Sequence, residues 1–76
     1  MADKITIKII EIISKITKIN SKLIDKESSM SNLSKWDSLA HVQIIQEIEK
    51  QYKKKITTSK MAYLNSVSKI AKFLNS

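Results

Sequence analysis

The chain contains 76 residues with a formal net charge of +7, and all of its 14 basic side chains are lysine. The absence of Cys excludes a disulfide framework and a thiolate-ligated metal site, and the absence of Gly excludes a glycine-rich phosphate loop. Because tight hairpin turns rely on glycine, which accepts positive φ, the composition favours an all-helical fold. The length of the chain predicts one small domain over residues 1–76.

The lysine excess makes nucleic acid or an anionic membrane a partner to consider. Without arginine the nucleic-acid interpretation is weak, because bidentate guanine contacts and stacking favour guanidinium groups. A general compositional bias explains the charge more simply. Asp3 and Glu11 count against a transit peptide, and no apolar run approaches the roughly 20 residues of a membrane span. We therefore expect a cytoplasmic protein without membrane insertion and without a nucleic-acid partner.

The first predicted helix extends from about Asp3 to Asn20. Ile5, Ile7 and Ile9 alternate as they would in a strand, but spacings of three and four residues continue beyond them and decide for a helix. A basic amphipathic helix can also lie on a membrane, yet the apolar segments downstream need a partner for their own faces. The face expected to be buried consists of Ile5, Ile9, Ile12, Ile13, Ile16 and Ile19.

A long connection follows, from Ser21 to about Lys35. A loop of this length is uncommon in so small a domain unless it packs against the core or has a function. Apolar side chains are spaced along it, so we expect it to lie across the bundle. These side chains are Leu23, Ile24, Met30 and Leu33.

The second predicted helix begins at Asp37 or Ser38 and ends at Tyr52 or Lys53. Asp37 and Ser38 both have the short oxygen-bearing side chains that helix N-caps prefer. A rival cap exists, because Ser34 and Asp37 fit the capping-box spacing, and it would place Ser38 inside the first turn. The predicted apolar stripe consists of Val42, Ile45, Ile48 and Tyr52, widened by Ile44.

Two shorter helices complete the prediction. Thr57, Thr58 and Ser59 offer caps for a helix of about residues 59–63, after lysines at 53–55 have interrupted the preceding stripe. The last helix is expected over about residues 66–74. The inward-facing residues of this half are Ile56, Met61, Leu64, Val67, Ile70, Ala71 and Leu74, with Phe73 at the edge. The whole core is predicted to contain Ile9, Ile13, Ile16, Val42, Ile45, Ile48, Val67, Ile70 and Leu74.

The run Trp36-Asp37-Ser38-Leu39, with the apolar stripe behind it and an aromatic at Tyr52, resembles the prosthetic-group site of acyl carrier proteins. In that family, Asp-Ser-Leu opens the second helix. The order of a long helix, a long loop, the serine helix, a short third helix and a fourth helix is also that of the family. The resemblance implies an all-α, acyl-carrier-protein-like four-helix bundle with a long first loop and a short third helix.

The resemblance also implies a carrier that is not itself an enzyme. In the family, the serine at the position of Ser38 carries 4′-phosphopantetheine, which a phosphopantetheinyl transferase takes from coenzyme A. The thiol of this arm holds acyl groups as thioesters, so acyl-activating and acyl-transferring enzymes are further partners, and we expect a monomer without a metal site. Leu33 corresponds to a hydrophobic residue that tucks into the bundle before the motif. The residues expected to dock partners are Trp36, Asp37, Leu39, Val42 and Glu49.

The chain departs from the family in its charge. Family members are usually acidic, especially along the second helix, whereas Ala40, Gln43 and Lys50 stand at positions that are commonly acidic. Lys35-Trp36 also replaces the glycine that usually precedes Asp-Ser. Enzymes of general fatty-acid synthesis recognise acidic carriers, so the sequence favours a specialised stand-alone carrier that serves a dedicated pathway.

Two other interpretations of the same residues remain open. His41 lies three positions after Ser38, which invites a Ser-His nucleophile, but no glycine motif supplies an oxyanion site and no residue is predicted to orient the imidazole. We expect His41 to face solvent or a partner. The alternative function is a small basic helical bundle that binds nucleic acid or another macromolecule, in which Ser38 merely caps its helix.

Overall fold

Four helices and one 3₁₀ turn form the part of the chain that the computed structural model describes, residues 4–75. Their bounds are α1 (Lys4–Thr17), the 3₁₀ turn (Ser21–Leu23), α2 (Ser38–Tyr52), α3 (Thr58–Tyr63) and α4 (Val67–Asn75). The predicted all-helical order, with a long first loop and a short third helix, is confirmed. None of these four helices combines the length and the apolarity that crossing a bilayer requires.

Helix α1 ends three residues before the predicted end. The Thr17 hydroxyl donates to a carbonyl of the preceding turn at 2.6 Å, and Lys18 adopts a left-handed conformation with φ of 65°. The Ser14 hydroxyl donates to the Ile19 carbonyl at 2.6 Å, just beyond the last turn. A left-handed residue, usually glycine, is a common helix end, and in this chain without glycine a lysine occupies the position. The predicted start at Asp3 lies outside the described residues.

Helix α1 packs against both α2 and α4, and the core lies between these three helices. Each helix contributes aliphatic side chains at helical spacing, so burial largely follows the periodicity of the sequence. The buried apolar residues are Ile9, Ile12, Ile13, Ile24, Trp36, Ile44, Ile45, Ile48, Leu64, Val67, Ile70 and Leu74. Most of the predicted core is therefore confirmed, although Ile16 is only half-buried against it.

The buried face of α2 differs from the predicted stripe. Val42 is 37% exposed, so its assignment to the core is wrong. The buried residues of α2 are His41, Ile44, Ile45 and Ile48. A histidine thus takes an inward position, and the valine beside it is turned towards the surface.

The long loop before α2 lies across the bundle, as its spaced apolar residues predict. Ile24 is buried, and Met30 and Leu33 are half-buried against the core. Leu23 is the exception, with 70% of the residue exposed. Burial of these side chains explains how so long a connection is compatible with a small domain.

Backbone hydrogen bonds fasten this loop to the connection between α3 and α4. The Met30 N–H donates to the Asn65 carbonyl at 3.0 Å, and the Val67 N–H donates to the Ser28 carbonyl at 3.0 Å. Between these two bonds lies an isolated β-bridge that pairs residues 29 and 66. The loop therefore positions the two C-terminal helices beside the start of α2.

Hydroxyl side chains cap both short helices. Thr57 Oγ1 accepts a hydrogen bond from the Lys60 N–H at 3.2 Å before α3, and Ser66 Oγ accepts one from the Lys69 N–H at 3.2 Å before α4. The observed bounds lie within one residue of those predicted from these cap candidates.

Candidate functional site

Ser38 is the first residue of α2, and its side chain is exposed. Asp37 is the N-cap: its Oδ1 accepts a hydrogen bond from the Ala40 N–H at 2.9 Å, and its carbonyl accepts one from the His41 N–H at 2.8 Å. The extended backbone at Asp37, with φ of −94° and ψ of −174°, is typical of this position. The hypotheses that Ser38 caps the helix, or that the helix starts earlier from Ser34, are therefore wrong.

Below Ser38, a buried chain of hydrogen bonds joins three segments. Trp36 Nε1–H donates to His41 Nδ1 at 3.0 Å, and His41 Nε2 lies 2.8 Å from the Met61 carbonyl oxygen. The indole nitrogen can only donate, so Nδ1 is the acceptor, and the imidazole proton resides on Nε2 and is donated to Met61. These bonds connect the end of the loop to α2, and α2 to α3.

Two sequence-based predictions are wrong for the residues of this hydrogen-bond network. His41 is only 5% exposed, so it does not face solvent, and both of its nitrogens are engaged, so it does not activate Ser38. Trp36 is 1% exposed, which contradicts its assignment as a docking residue. One signal was available: His41 precedes Ile45 by four residues and Ile48 by seven, the spacing of a single helix face.

An open groove lies between α2 and α3 with Ser38 in its lining. Its volume, about 540 Å³, falls within the range of sites that hold small organic ligands. Its lining residues are Ser38, His41 and Val42 of α2, Met61 and Ala62 of α3, and Met30, Ser31 and Asn65. Most of these side chains are apolar or small, and the exposed serine hydroxyl adjoins them.

A family model for the phosphopantetheine attachment site matches residues 8–74. The chain belongs to this family. Its members carry 4′-phosphopantetheine as a covalent prosthetic group, so the chain is a phosphopantetheine carrier with the helical bundle of acyl carrier proteins. Domains of this kind hold the group and are not catalytic. Among curated proteins, none matches the chain significantly.

The other residues predicted to dock partners occupy two regions of the carrier. Asp37 is exposed at the start of α2, where Leu39 is 71% exposed and Val42 lines the groove. Glu49 lies near the opposite end of α2, about 16 Å from Ser38 along the helix axis. Its Oε2 accepts a hydrogen bond from the Ile56 N–H at 2.7 Å. Glu49 therefore also fastens the connection that leads from α2 to α3.

A second depression of the carrier lies between α1 and α2 and shares no lining residue with the groove. Within it, the Gln51 amide donates to Glu47 Oε2 at 2.7 Å, and this bond is the main reason why the pKa of Glu47 lies below that of an ordinary glutamate. Partial desolvation opposes the lowering of the pKa, and the charges of Lys50, Lys15 and Lys8 reinforce it. The Glu47–Gln51 bond therefore lies within α2, at the face where this helix adjoins α1.

Proposed function

We propose that Ser38 Oγ is the attachment point of the phosphopantetheine arm and that the chain carries acyl groups on it. The observation that supports this most directly is the division of roles at the start of α2. Asp37 provides the cap, so Ser38 presents its hydroxyl at the surface and beside the groove.

The residues around Ser38 fit the prosthetic group. Helix N-termini favour anions, because their first N–H groups and the helix dipole present positive charge, and a phosphodiester on Ser38 would lie at such an end. Met30, Val42 and Met61 offer apolar surface along the groove for a chain extending from the serine. When bound, the arm supplies a terminal thiol that holds an acyl group as a thioester.

The carrier relies on another protein for its own modification. A serine hydroxyl is a weak nucleophile unless a neighbouring base takes its proton. His41, the nearest candidate along α2, uses Nδ1 as acceptor for Trp36 and donates from Nε2 to Met61. A phosphopantetheinyl transferase therefore supplies the base, and the carrier supplies an accessible hydroxyl on a rigid helix start.

Docking of the transferase and of acyl-handling enzymes would use the surface around Ser38. Leu39 offers an exposed apolar side chain, Val42 extends it along the groove, and Asp37 adds one carboxylate. Glu49 contributes a second acidic position further along α2. We retain these residues as the docking surface and infer from the basic balance of the chain that its partners belong to a dedicated pathway.

The test is incubation of the full chain with coenzyme A and a broad-specificity phosphopantetheinyl transferase, followed by intact mass measurement. Wild type should gain the mass of one phosphopantetheine group, Ser38→Ala should gain none, and its circular dichroism should remain helical. Ser34→Ala is the matched control, because Ser34 is also exposed but precedes the helix, and it should be modified like wild type. Modification of Ser38→Ala, or none of wild type, would refute the proposal.

A further inference from the structure

The net positive charge of the carrier comes from one part of the sequence. Residues 1–49 contain seven lysines and seven acidic residues, so this part is neutral. Residues 50–76 contain seven lysines and no acidic residue, so they carry the whole net charge of +7. A uniform compositional bias would spread the acidic residues over both parts, whereas here residues 50–76 have none.

The fold gathers several of these lysines around two aromatic rings. Lys60 Nζ lies 5.4 Å from the centroid of the Tyr63 ring and 5.9 Å from that of Phe73. Lys69 Nζ lies 4.8 Å from the Tyr63 centroid, and Lys54 Nζ lies 5.5 Å from the Phe73 centroid. We call these residues, with Lys72 in the same depression, the lysine–aromatic cluster: Lys54, Lys60, Tyr63, Lys69, Lys72 and Phe73.

The cluster brings four lysine side chains together, and residues 50–76, to which all of them belong, contain no acidic residue. Cation–π contacts hold the ammonium groups over the rings, but they do not neutralise the charge. Mutual repulsion among the ammonium groups remains, and an anionic partner would relieve it. Charge complementarity therefore specifies the chemistry of what binds here.

Residues of helix α3 line both the cluster and the groove. Lys60 and Tyr63 line the cluster, while Met61 and Ala62, between them in sequence, line the groove that contains Ser38. Two faces of one helix lie within a helix diameter of each other, about 10–12 Å. A partner held by the cluster is therefore close to the attachment site.

We propose that the lysine–aromatic cluster docks an acidic protein surface on an enzyme that handles the carried group. This inference rests on the proposed function. Without arginine the cluster lacks the planar guanidinium that favours base-specific contacts, whereas a lysine ammonium pairs with a carboxylate as a point charge. Tyr63 is 57% exposed among the charges, and tyrosine is enriched among residues that anchor protein interfaces. The apolar face of α4 is already buried in the core, so it is not offered to a membrane.

The test titrates a decaglutamate peptide into the full ¹⁵N-labelled chain at low salt. Amide shifts should concentrate in α3 and α4 and include Met61 and Ala62. Lys60→Glu combined with Lys69→Glu should weaken binding about tenfold, because electrostatic attraction dominates encounters between exposed charges at low ionic strength. Lys22→Glu with Lys26→Glu is the matched control: the same change in net charge, at exposed lysines of the neutral part.

Three outcomes would overturn the inference. Equal weakening in the control pair would show that only the net charge matters. Tighter binding of a decathymidylate, or of vesicles containing anionic phospholipid, through Lys60 and Lys69 would assign the cluster to a different class of partner. Modification by transferase, measured on every variant, separates the two proposals, because it reports on Ser38 and not on the cluster.

Discussion

At the start of α2, adjacent residues with similar chemistry have separate roles. Asp37 and Ser38 both suit a helix N-cap, and the sequence alone does not choose between them. The structure places the carboxylate of Asp37 on the Ala40 N–H, which leaves the hydroxyl of Ser38 exposed. A site that presents one serine to an external enzyme needs this exposure, since a capping hydroxyl would be engaged with the backbone.

The first prediction concerns the buried bond between Trp36 and His41. Trp36→Phe keeps an aromatic ring but removes the N–H donor, so His41 Nδ1 loses its partner in a buried site. We expect a loss of about 1–3 kcal/mol in the free energy of unfolding, measured by urea denaturation. Tyr63→Phe, which removes a polar group from an exposed ring, should change it by less than about 0.5 kcal/mol.

A double-mutant cycle completes this test. His41→Leu alone should be destabilising, because the Trp36 indole N–H and the Met61 carbonyl then lose their partner. The double variant should cost less than the sum of the two single changes, since each removes the same bond. Additive losses would show that the bond contributes nothing specific.

At the scale of the elements, two helices end on a left-handed lysine. Lys18 follows α1 with φ of 65°, and Lys53 follows α2 with φ of 52°. Glycine usually occupies this position, because a side chain with a Cβ is strained there. These two helix ends therefore keep some backbone strain.

The second prediction is that Lys53→Gly stabilises the fold. Relief of the left-handed strain exceeds the extra entropy that glycine has in the unfolded chain, and we expect a gain of about 0.5–1 kcal/mol in unfolding free energy. Lys55→Gly is the matched control, because Lys55 lacks a positive φ, and it should give no gain. A gain of equal size in both variants would mean that strain at Lys53 is not the cause.

The third prediction concerns Glu47 on the face between α1 and α2. Its carboxyl should titrate below the ordinary glutamate pKa when followed by NMR, and Gln51→Ala should move that pKa upwards. Because the folded-state pKa is lowered, the charged form stabilises the fold above the ordinary pKa. This contribution disappears as pH falls through the lowered value. Gln46→Ala, at an exposed neighbouring glutamine, should leave the pKa of Glu47 unchanged.

At the scale of the whole molecule, the sequence predicts the helix order, most of the core and the position of Ser38 at the start of α2. Aliphatic spacing of three and four residues suffices for this, because burial of one helix face dominates the fold. The spacing of His41 from Ile45 and Ile48 indicates its inward position, but its hydrogen-bond partners lie in other segments, Trp36 in the loop and Met61 in α3, which the sequence does not show. The exposed position of Val42 follows from the same rotation of the buried face.

The uneven distribution of charge is also visible in the sequence, but the place where the lysines gather in the fold is not. Counting along the chain shows that residues 50–76 lack acids, yet only the fold shows that Lys54, Lys60 and Lys69 surround the rings of Tyr63 and Phe73. Lys50 and Lys53 lie instead at the end of α2, the helix that presents Ser38. These two lysines are therefore the ones expected to influence enzymes that approach along α2.

The last prediction follows from the position of Lys50 and Lys53. Enzymes that recognise acidic carriers generally offer basic docking patches, which these exposed lysines repel. Replacing both by Glu should speed the modification of Ser38 by a general transferase, because long-range charge acts mainly on the encounter rate. The gain should shrink as salt approaches 1 M, where the Debye length falls to about 3 Å.

The rates of wild type and variant would be measured against ionic strength, with Lys22→Glu combined with Lys26→Glu as a control for net charge. The control pair lies in the loop before α2, so it should gain less than the α2 pair at low salt. Three results would contradict this prediction: no gain in the α2 variant, a gain that salt leaves unchanged, or an equal gain in the control. Each would mean that Lys50 and Lys53 are only solvent-exposed residues at the helix end. A local, salt-sensitive gain would instead show that charge along α2 selects which enzymes reach Ser38.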